Sequence, residues 1–172
     1  MHNGAGKEVH MVILVIIIVV AVAIGVYIGV QNTKKFKESL QCGKVLKRSA
    51  NFYEDKEIFR AFIGDQQSFY NALTEAINTA GVCSYSGNYG SAVNFSGKNW
   101  SAQLVRLQSD DGSTMYSFGV TNIHYSGGRT QYFNPYDINL LLTAIEKVFL
   151  QFDINTLVYF QAINFKAKNS LF

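Results

Sequence analysis

The longest hydrophobic segment of the chain runs from Met11 to Val30 without a charge, a proline or an amide side chain. An α-helix rises about 1.5 Å per residue, so this segment would span about 30 Å, the thickness of the hydrocarbon core of a bilayer. No polar stripe would let one face of this helix meet water. The pattern therefore predicts a membrane-spanning helix over residues 11–30, preceded by a short tail, 1–10.

A cleaved secretory signal is the main alternative for this segment. Such a signal has a basic start, an apolar stretch of about 7–15 residues and a small-residue cleavage site. Here the apolar stretch is longer, and the residues that follow it, QNTKK at 31–35, contain no such site. We therefore expect an uncleaved anchor. The basic segment that follows, 31–50, either continues the membrane helix or acts as a stalk.

Helical periodicity dominates the first part of the remaining chain. Apolar residues recur every three or four positions from Ile58 to Ala80, which predicts a helix interrupted at Gly64. Asp65 is placed to cap the second part of this helix, and Gly81 is placed to end it.

Between residues 82 and 133 apolar and polar positions alternate, which is the periodicity of strands and not of helices. The DDG sequence at 110–112 is a hairpin signal, and SGG at 126–128 marks a second turn before a short strand, 129–133. This part of the chain is predicted to be an antiparallel meander.

A second helix is predicted from Asn134, a capping residue, through Pro135 and Asp137, which favour the first turn. A strongly apolar segment at 156–166 follows and is typical of a central strand. One face of the helix is expected to be buried against the sheet that contains Val158 and Phe160. The residues of that face are Leu141, Leu142, Ile145, Val148 and Phe149.

The order of these elements predicts the fold class. It is an α+β domain, 51–172, with an antiparallel sheet of about four to five strands covered by two helices. Its length suits one globular domain with a single core. The whole chain is then a membrane helix followed by a basic juxtamembrane segment and this domain.

The flanking charges predict which side of the membrane the domain occupies. One lysine precedes the apolar segment, and six basic residues follow it within twenty positions. Basic residues near a membrane helix are retained on the cytoplasmic side. The composition, rich in Tyr, Phe, Asn, Ser and Gly and only 16% charged, instead suits an exported domain, so an extracytoplasmic location stays open. The six residues, which are also candidate contacts for anionic lipid headgroups, are Lys34, Lys35, Lys37, Lys44, Lys47 and Arg48.

Candidate catalytic chemistry is sparse in the sequence. His124 is the single histidine of the domain, and we interpret it as a half-buried strand residue. Cys42 and Cys83 show no metal-ligand or disulfide-framework spacing and are expected to be ordinary thiols. No carboxylate pair, phosphate loop or dinucleotide fingerprint is present. We therefore expect no catalytic, cofactor or metal site.

Aromatic residues are the unusual surplus, at 14% of the chain. Tyrosine beside Asn, Ser and Gly is typical of protein–protein surfaces, and Tyr89, Tyr125 and Tyr132 are the candidate contacts. A net charge of +3, with half of the basic residues in the membrane flanks, disfavours nucleic acid.

The sequence therefore predicts a non-enzymatic, single-pass membrane protein. Its partners would be the bilayer and other protein subunits, in a homo- or hetero-oligomeric envelope, secretion or transport complex. Two alternatives are a membrane-tethered sensory domain that binds a small ligand or peptide, and an enzyme without recognisable motifs.

Overall fold

The computed structural model describes residues 5–46, 48, 55–123 and 135–162. The chain divides into two compact units, Met1–Val45 and Leu46–Phe172. Within the first unit, helix α1 spans Ala5–Gln41, so the predicted anchor at 11–30 is helical and the helix continues into the basic segment.

Helix α1 is the one helix of the described chain that is long and apolar enough to cross a membrane. Its most apolar 18-residue stretch has a mean hydropathy of 3.3, and no residue of that stretch is buried. The helix is followed by a turn at Gly43, whose φ of 67° lies in the left-handed region that glycine adopts readily.

Within its described residues, the second unit contains one antiparallel sheet of six strands in the order β2-β3-β4-β5-β1-β6. Helices α2 and α3 pack against each other and cover one face of it. The α+β class is therefore as predicted, with six strands in place of four to five. The elements are β1 Asp55–Ala61, α2 Gln66–Ala80, β2 Cys83–Asn88, β3 Ala92–Gly97, β4 Trp100–Leu107, β5 Thr114–Ile123, α3 Pro135–Phe152 and β6 Leu157–Ala162.

The predicted meander is confirmed from Cys83 to Ile123, where β2, β3, β4 and β5 pair in sequence order. The DDG hairpin lies between β4 and β5, and Gly112 there has a φ of 75°. The second turn at 126–128 and the strand at 129–133 lie outside the described residues.

The helix predicted from Ile58 to Ala80 is wrong in its first part, because Asp55–Ala61 is strand β1. Glu57, Ile58 and Phe59 are consecutive and all buried, at 3%, 1% and 0% exposure. Ile58 and Phe59 are adjacent apolar residues on opposite faces of the strand, and such a pair fits both a strand that is covered on both faces and a helix. The strand pairs with β5 on one side and β6 on the other.

The second half of that prediction is confirmed in α2. Its N-terminus is capped by Asp65, whose carboxylate accepts a hydrogen bond from the Ser68 N–H at 3.1 Å. Gly81 ends the helix with a φ of 62°, and its N–H donates to the Ile77 carbonyl at 3.2 Å. Both caps were predictable, because Asp65 and Gly81 are typical capping residues and stand at the two ends of the apolar stripe of α2.

Helix α3 forms the core that its stripe predicted. Leu141, Leu142, Ile145 and Phe149 have no exposed surface, and Val148 has 5%. The Phe149 ring stacks on that of Phe59 with centroids 5.2 Å apart and meets Phe69 of α2 edge-on at 4.9 Å. Part of the unusually high aromatic content is therefore explained by residues that pack in this core.

Among the described strands, β6 lies at the edge of the sheet, whereas a central position was predicted. It pairs with β1 alone among the described strands. Val158 packs partly against the core, opposite Phe59. Phe160, further along the same strand, keeps 38% exposure. An apolar strand was interpreted as central because both of its faces were expected to be covered.

Candidate functional site

Tyr89 is not an exposed partner contact, which corrects its predicted role. It is 8% exposed, and its ring lies beside that of Tyr70 with centroids 5.6 Å apart. Its hydroxyl lies 3.4 Å from the Thr74 hydroxyl, and its carbonyl accepts a hydrogen bond from the Tyr116 hydroxyl. The turn between β2 and β3 folds back over α2, a tertiary contact that composition does not encode. Tyr125, Tyr132 and His124 lie outside the described residues.

The predicted headgroup contacts fall into two groups. Lys34, Lys35, Lys37 and Lys44 are exposed in the first unit. Lys47 lies outside the described residues. Arg48 belongs to the second unit, and its side chain is only 4% exposed, so it contacts protein and not lipid.

The Arg48 guanidinium forms two ion pairs inside the domain. It donates to the Glu57 carboxylate of β1, and its Nη2 donates to Oε2 of Glu146 on α3 at 2.7 Å. The side chains of Glu57 and Glu146 are 2% and 17% exposed. Burial raises the pKa of the Glu57 carboxyl to about 7, although the Arg48 charge acts to lower it.

Two further contacts fix the start of the second unit on α3. The Leu46 N–H donates to the Thr143 hydroxyl at 3.0 Å, and that hydroxyl donates to the Asn139 carbonyl at 2.7 Å. Together with the ion pairs of Arg48, these bonds give the buried cluster a structural role: they hold the chain where the domain begins.

A second polar cluster joins α2, β4 and β5. Arg106 donates to the Tyr70 hydroxyl at 2.6 Å, and its backbone N–H donates to the Ser91 carbonyl at 2.8 Å. Burial, reinforced by the hydrogen bond with Tyr70, raises the pKa of Tyr116 above its ordinary value. This phenol stays protonated at neutral pH, so it acts as a hydrogen-bond donor that holds the β2–β3 turn and not as a base.

The free face of the sheet carries a small polar depression. Its volume is about 260 Å³, below the about 300–1,000 Å³ of small-molecule sites. It lies across β2, β3, β4 and β5, so no loop closes over it within the described part of the chain. Its lining includes Ser84, Ser86, Asn94, Ser96, Ser101 and Thr121. No group of three or more His, Cys, Asp or Glu in the described ranges is arranged to hold a metal ion.

The most exposed apolar surface of the domain surrounds strand β6. Two parts of the chain meet there, because the Phe62 N–H donates to the Asp153 carboxylate at 2.9 Å. This bond brings the residue after β1 beside the turn before β6. We call this the β6 edge surface and define it by Phe62, Ile154, Leu157, Tyr159 and Phe160, which are 61%, 82%, 55%, 43% and 38% exposed.

The two edges of the sheet differ in how they are protected. Exposed edge strands normally carry charges, proline or bulges that prevent pairing with another chain. Strand β2, at one edge, is polar and contains Gly87 with a φ of 108°. Strand β6, with the sequence LVYFQA, has no charge and no proline. Among its described residues, β6 therefore lacks these protective features.

The sequence interpretation missed this surface, although one signal pointed to it. Ile154 stands between Asp153 and Asn155 in a polar turn after a helix, where an aliphatic residue has no core to join. A second missed signal lies in α1, where Gly25 and Gly29 are four residues apart. A methyl group added at either would meet no atom within 4 Å. Two glycines at this spacing are typical of membrane helices that pack closely together.

No protein-family model matches the chain, and no curated protein matches it either.

Proposed function

We propose that this protein is a single-pass, membrane-anchored subunit of a protein complex, and that its domain works by contact through the β6 edge surface. The observation that carries the proposal is the exposure of five large apolar side chains around an uncharged edge strand. Contiguous apolar surface rimmed by polar residues marks interaction sites in soluble domains.

The backbone of β6 adds a directional component to this surface. Within the described part of the chain, β1 is its one neighbour, so the outer row of N–H and C=O groups is available to a further strand. Strand addition gives affinity through main-chain hydrogen bonds and specificity through alternate side chains. Leu157 and Tyr159 would supply that specificity on the sheet face away from the helices.

The helix α1 would serve as the anchor, with the domain in the cytoplasm. Support comes from its length, its apolar character and the exposed Lys34, Lys35, Lys37 and Lys44 after the apolar segment. The ligand-binding alternative has less support. The polar depression on the sheet has a volume of about 260 Å³, below that of typical small-molecule sites. A second depression of about 550 Å³ has described lining residues from α2 alone, so no second described element encloses it.

Purification of the full chain in mild detergent tests the proposal. Leu157→Lys places a charge on the β6 edge surface, and Ser86→Lys, the matched control, places the same charge on the opposite edge strand. We expect the native complex to fall apart with Leu157→Lys and to persist with Ser86→Lys. A folded Leu157→Lys variant that keeps the native mass and every co-purifying subunit would contradict the proposal.

Two further measurements address the anchor and the absence of catalysis. Alkaline extraction should leave the chain in the membrane, and protease added to right-side-out vesicles should leave the domain whole. His124→Ala, at the single histidine of residues 51–172, should leave cellular function unchanged. Digestion from outside would overturn the orientation, and lost function with an intact complex would overturn the contact role.

A further inference from the structure

Resting on the proposed function, we propose that the partner of the β6 edge surface is a second copy of this chain. The two copies would pair β6 with β6 in antiparallel fashion across a twofold axis and form one continuous sheet.

The alternation of β6 allows an antiparallel pair with its own copy. Its pairing with β1 sets Leu157 and Tyr159 opposite Arg60 and Ile58, on the face away from the helices, whereas Val158 lies opposite Phe59. An antiparallel pair centred on Tyr159 would set that residue opposite its own copy. It would also set Leu157 opposite residue 161, so residues of one face meet residues of the same face.

The lack of charge favours a second copy over a different partner. In an antiparallel pair across a twofold axis, the residue on the axis meets its own copy, so a charged residue there would face the same charge. No residue of β6 is charged. A strand that pairs with a different chain can carry a charge, because the partner can place an opposite charge beside it.

The exposed area is large enough for a stable dimer. If each large side chain has about 200 Å² of surface, the exposed fractions of the β6 edge surface amount to roughly 550 Å² per copy. Two copies would then bury at most roughly 1,100 Å² of side-chain surface, close to the about 1,000 Å² that a specific interface needs.

The anchor would bring identical copies into the same membrane with their helices parallel. Membrane helices of one protein share a direction, so a twofold axis that relates two of them runs along the membrane normal. Gly25 and Gly29 leave open space on α1, and glycines at this spacing let two helices approach closely. Close packing of α1 with another α1 would therefore bring in a second copy of the chain, which is also the partner proposed for β6.

Cysteine cross-linking in native membranes tests the pairing directly. In a Cys42→Ser, Cys83→Ser background, Tyr159→Cys would stand opposite its own copy at a Cα distance of about 4.5–5.5 Å, within disulfide range. Mild oxidation should convert most of the chain to a disulfide-linked dimer. Leu157→Cys alone should link poorly, but it should link when co-expressed with Gln161→Cys. Ser86→Cys, on the opposite edge strand, is the matched control and should stay monomeric.

Native mass spectrometry of the unsubstituted chain in detergent is the measurement that needs no variant, and an even number of copies is expected. A mass with one copy, together with no cross-link at any β6 position from 157 to 161, would overturn the self-pairing. If Leu157→Lys still released other subunits in that case, the proposed function would stand and only the identity of the partner would be wrong. If Leu157→Lys released nothing, both would be wrong.

Discussion

The substitution Glu57→Gln is expected to change how the stability of the domain depends on pH. The Glu57 carboxyl is buried on β1 beside Arg48, and its pKa in the folded protein is about 7, above the ordinary 4.5. Glutamine has nearly the same shape, and its amide oxygen can still accept a hydrogen bond from Arg48. The variant therefore removes the ionisation of residue 57 while keeping its packing.

The sign follows from which state binds the proton more tightly. Below about pH 4.5 the Glu57 carboxyl is protonated in both the folded and the unfolded chain. The free energy of unfolding is then at its highest with respect to this group. As the pH rises through about 7, the folded state keeps its proton longer, so the free energy of unfolding falls and then levels off. A pKa difference of about 2.5 corresponds to about 3 kcal/mol over this range.

Urea unfolding of the full chain in mild detergent measures this effect. The signal is the fluorescence of Trp100, the one tryptophan of the chain, which is 2% exposed. At pH 5 the wild type and Glu57→Gln should be similarly stable, and at pH 8 the variant should be more stable by about 3 kcal/mol. Parallel stability curves for the two proteins between pH 5 and pH 8 would refute the reasoning.

A matched control is available on the exposed β4–β5 turn. Hydrogen bonds from Ser109 and Ser113 hold the pKa of Asp111 below its ordinary 3.8. Its contribution to stability is therefore present above that value and is lost only on acidification. Asp111→Asn should leave the slope between pH 5 and pH 8 unchanged. A changed slope would show that the titration does not belong to Glu57.

Three further predictions concern the core, a helix cap and the thiols. Leu142→Ala removes a side chain with no exposed surface and should lower the free energy of unfolding by about 2–5 kcal/mol; an unchanged melting temperature would contradict the helix–sheet packing. Asp65→Ala removes the carboxylate that caps α2 and should cost about 1 kcal/mol by the same unfolding assay, so a neutral result would show that the cap is dispensable. Because burial raises the pKa of Cys83 to about 11, iodoacetamide at pH 8 should alkylate the exposed Cys42 much faster than Cys83; equal rates by mass spectrometry would contradict the burial.

Local patterns were enough to determine several parts of this protein. The apolar run at 11–30 predicts its helix because length and uniform hydrophobicity need no partner to be interpreted. Helix α3, both caps of α2 and the meander from Cys83 to Ile123 follow from periodicity and turn residues that act within a few positions. These signals belong to contacts between near neighbours along the chain.

Tertiary contacts decided the rest. The apolar residues of β1 fit a helix or a doubly covered strand, and pairing with β5 and β6 selects the strand. Arg48 is a basic residue near the membrane helix and was therefore predicted to contact lipid headgroups. In the structure it forms an ion pair inside the domain with Glu146, 98 positions away. Tyr89 is buried because a turn folds onto α2. Strand β6 has the composition of a central strand, yet its place at the edge exposes it. Residue type determines what a side chain can contact, whereas the chain's long-range topology determines which partner reaches it.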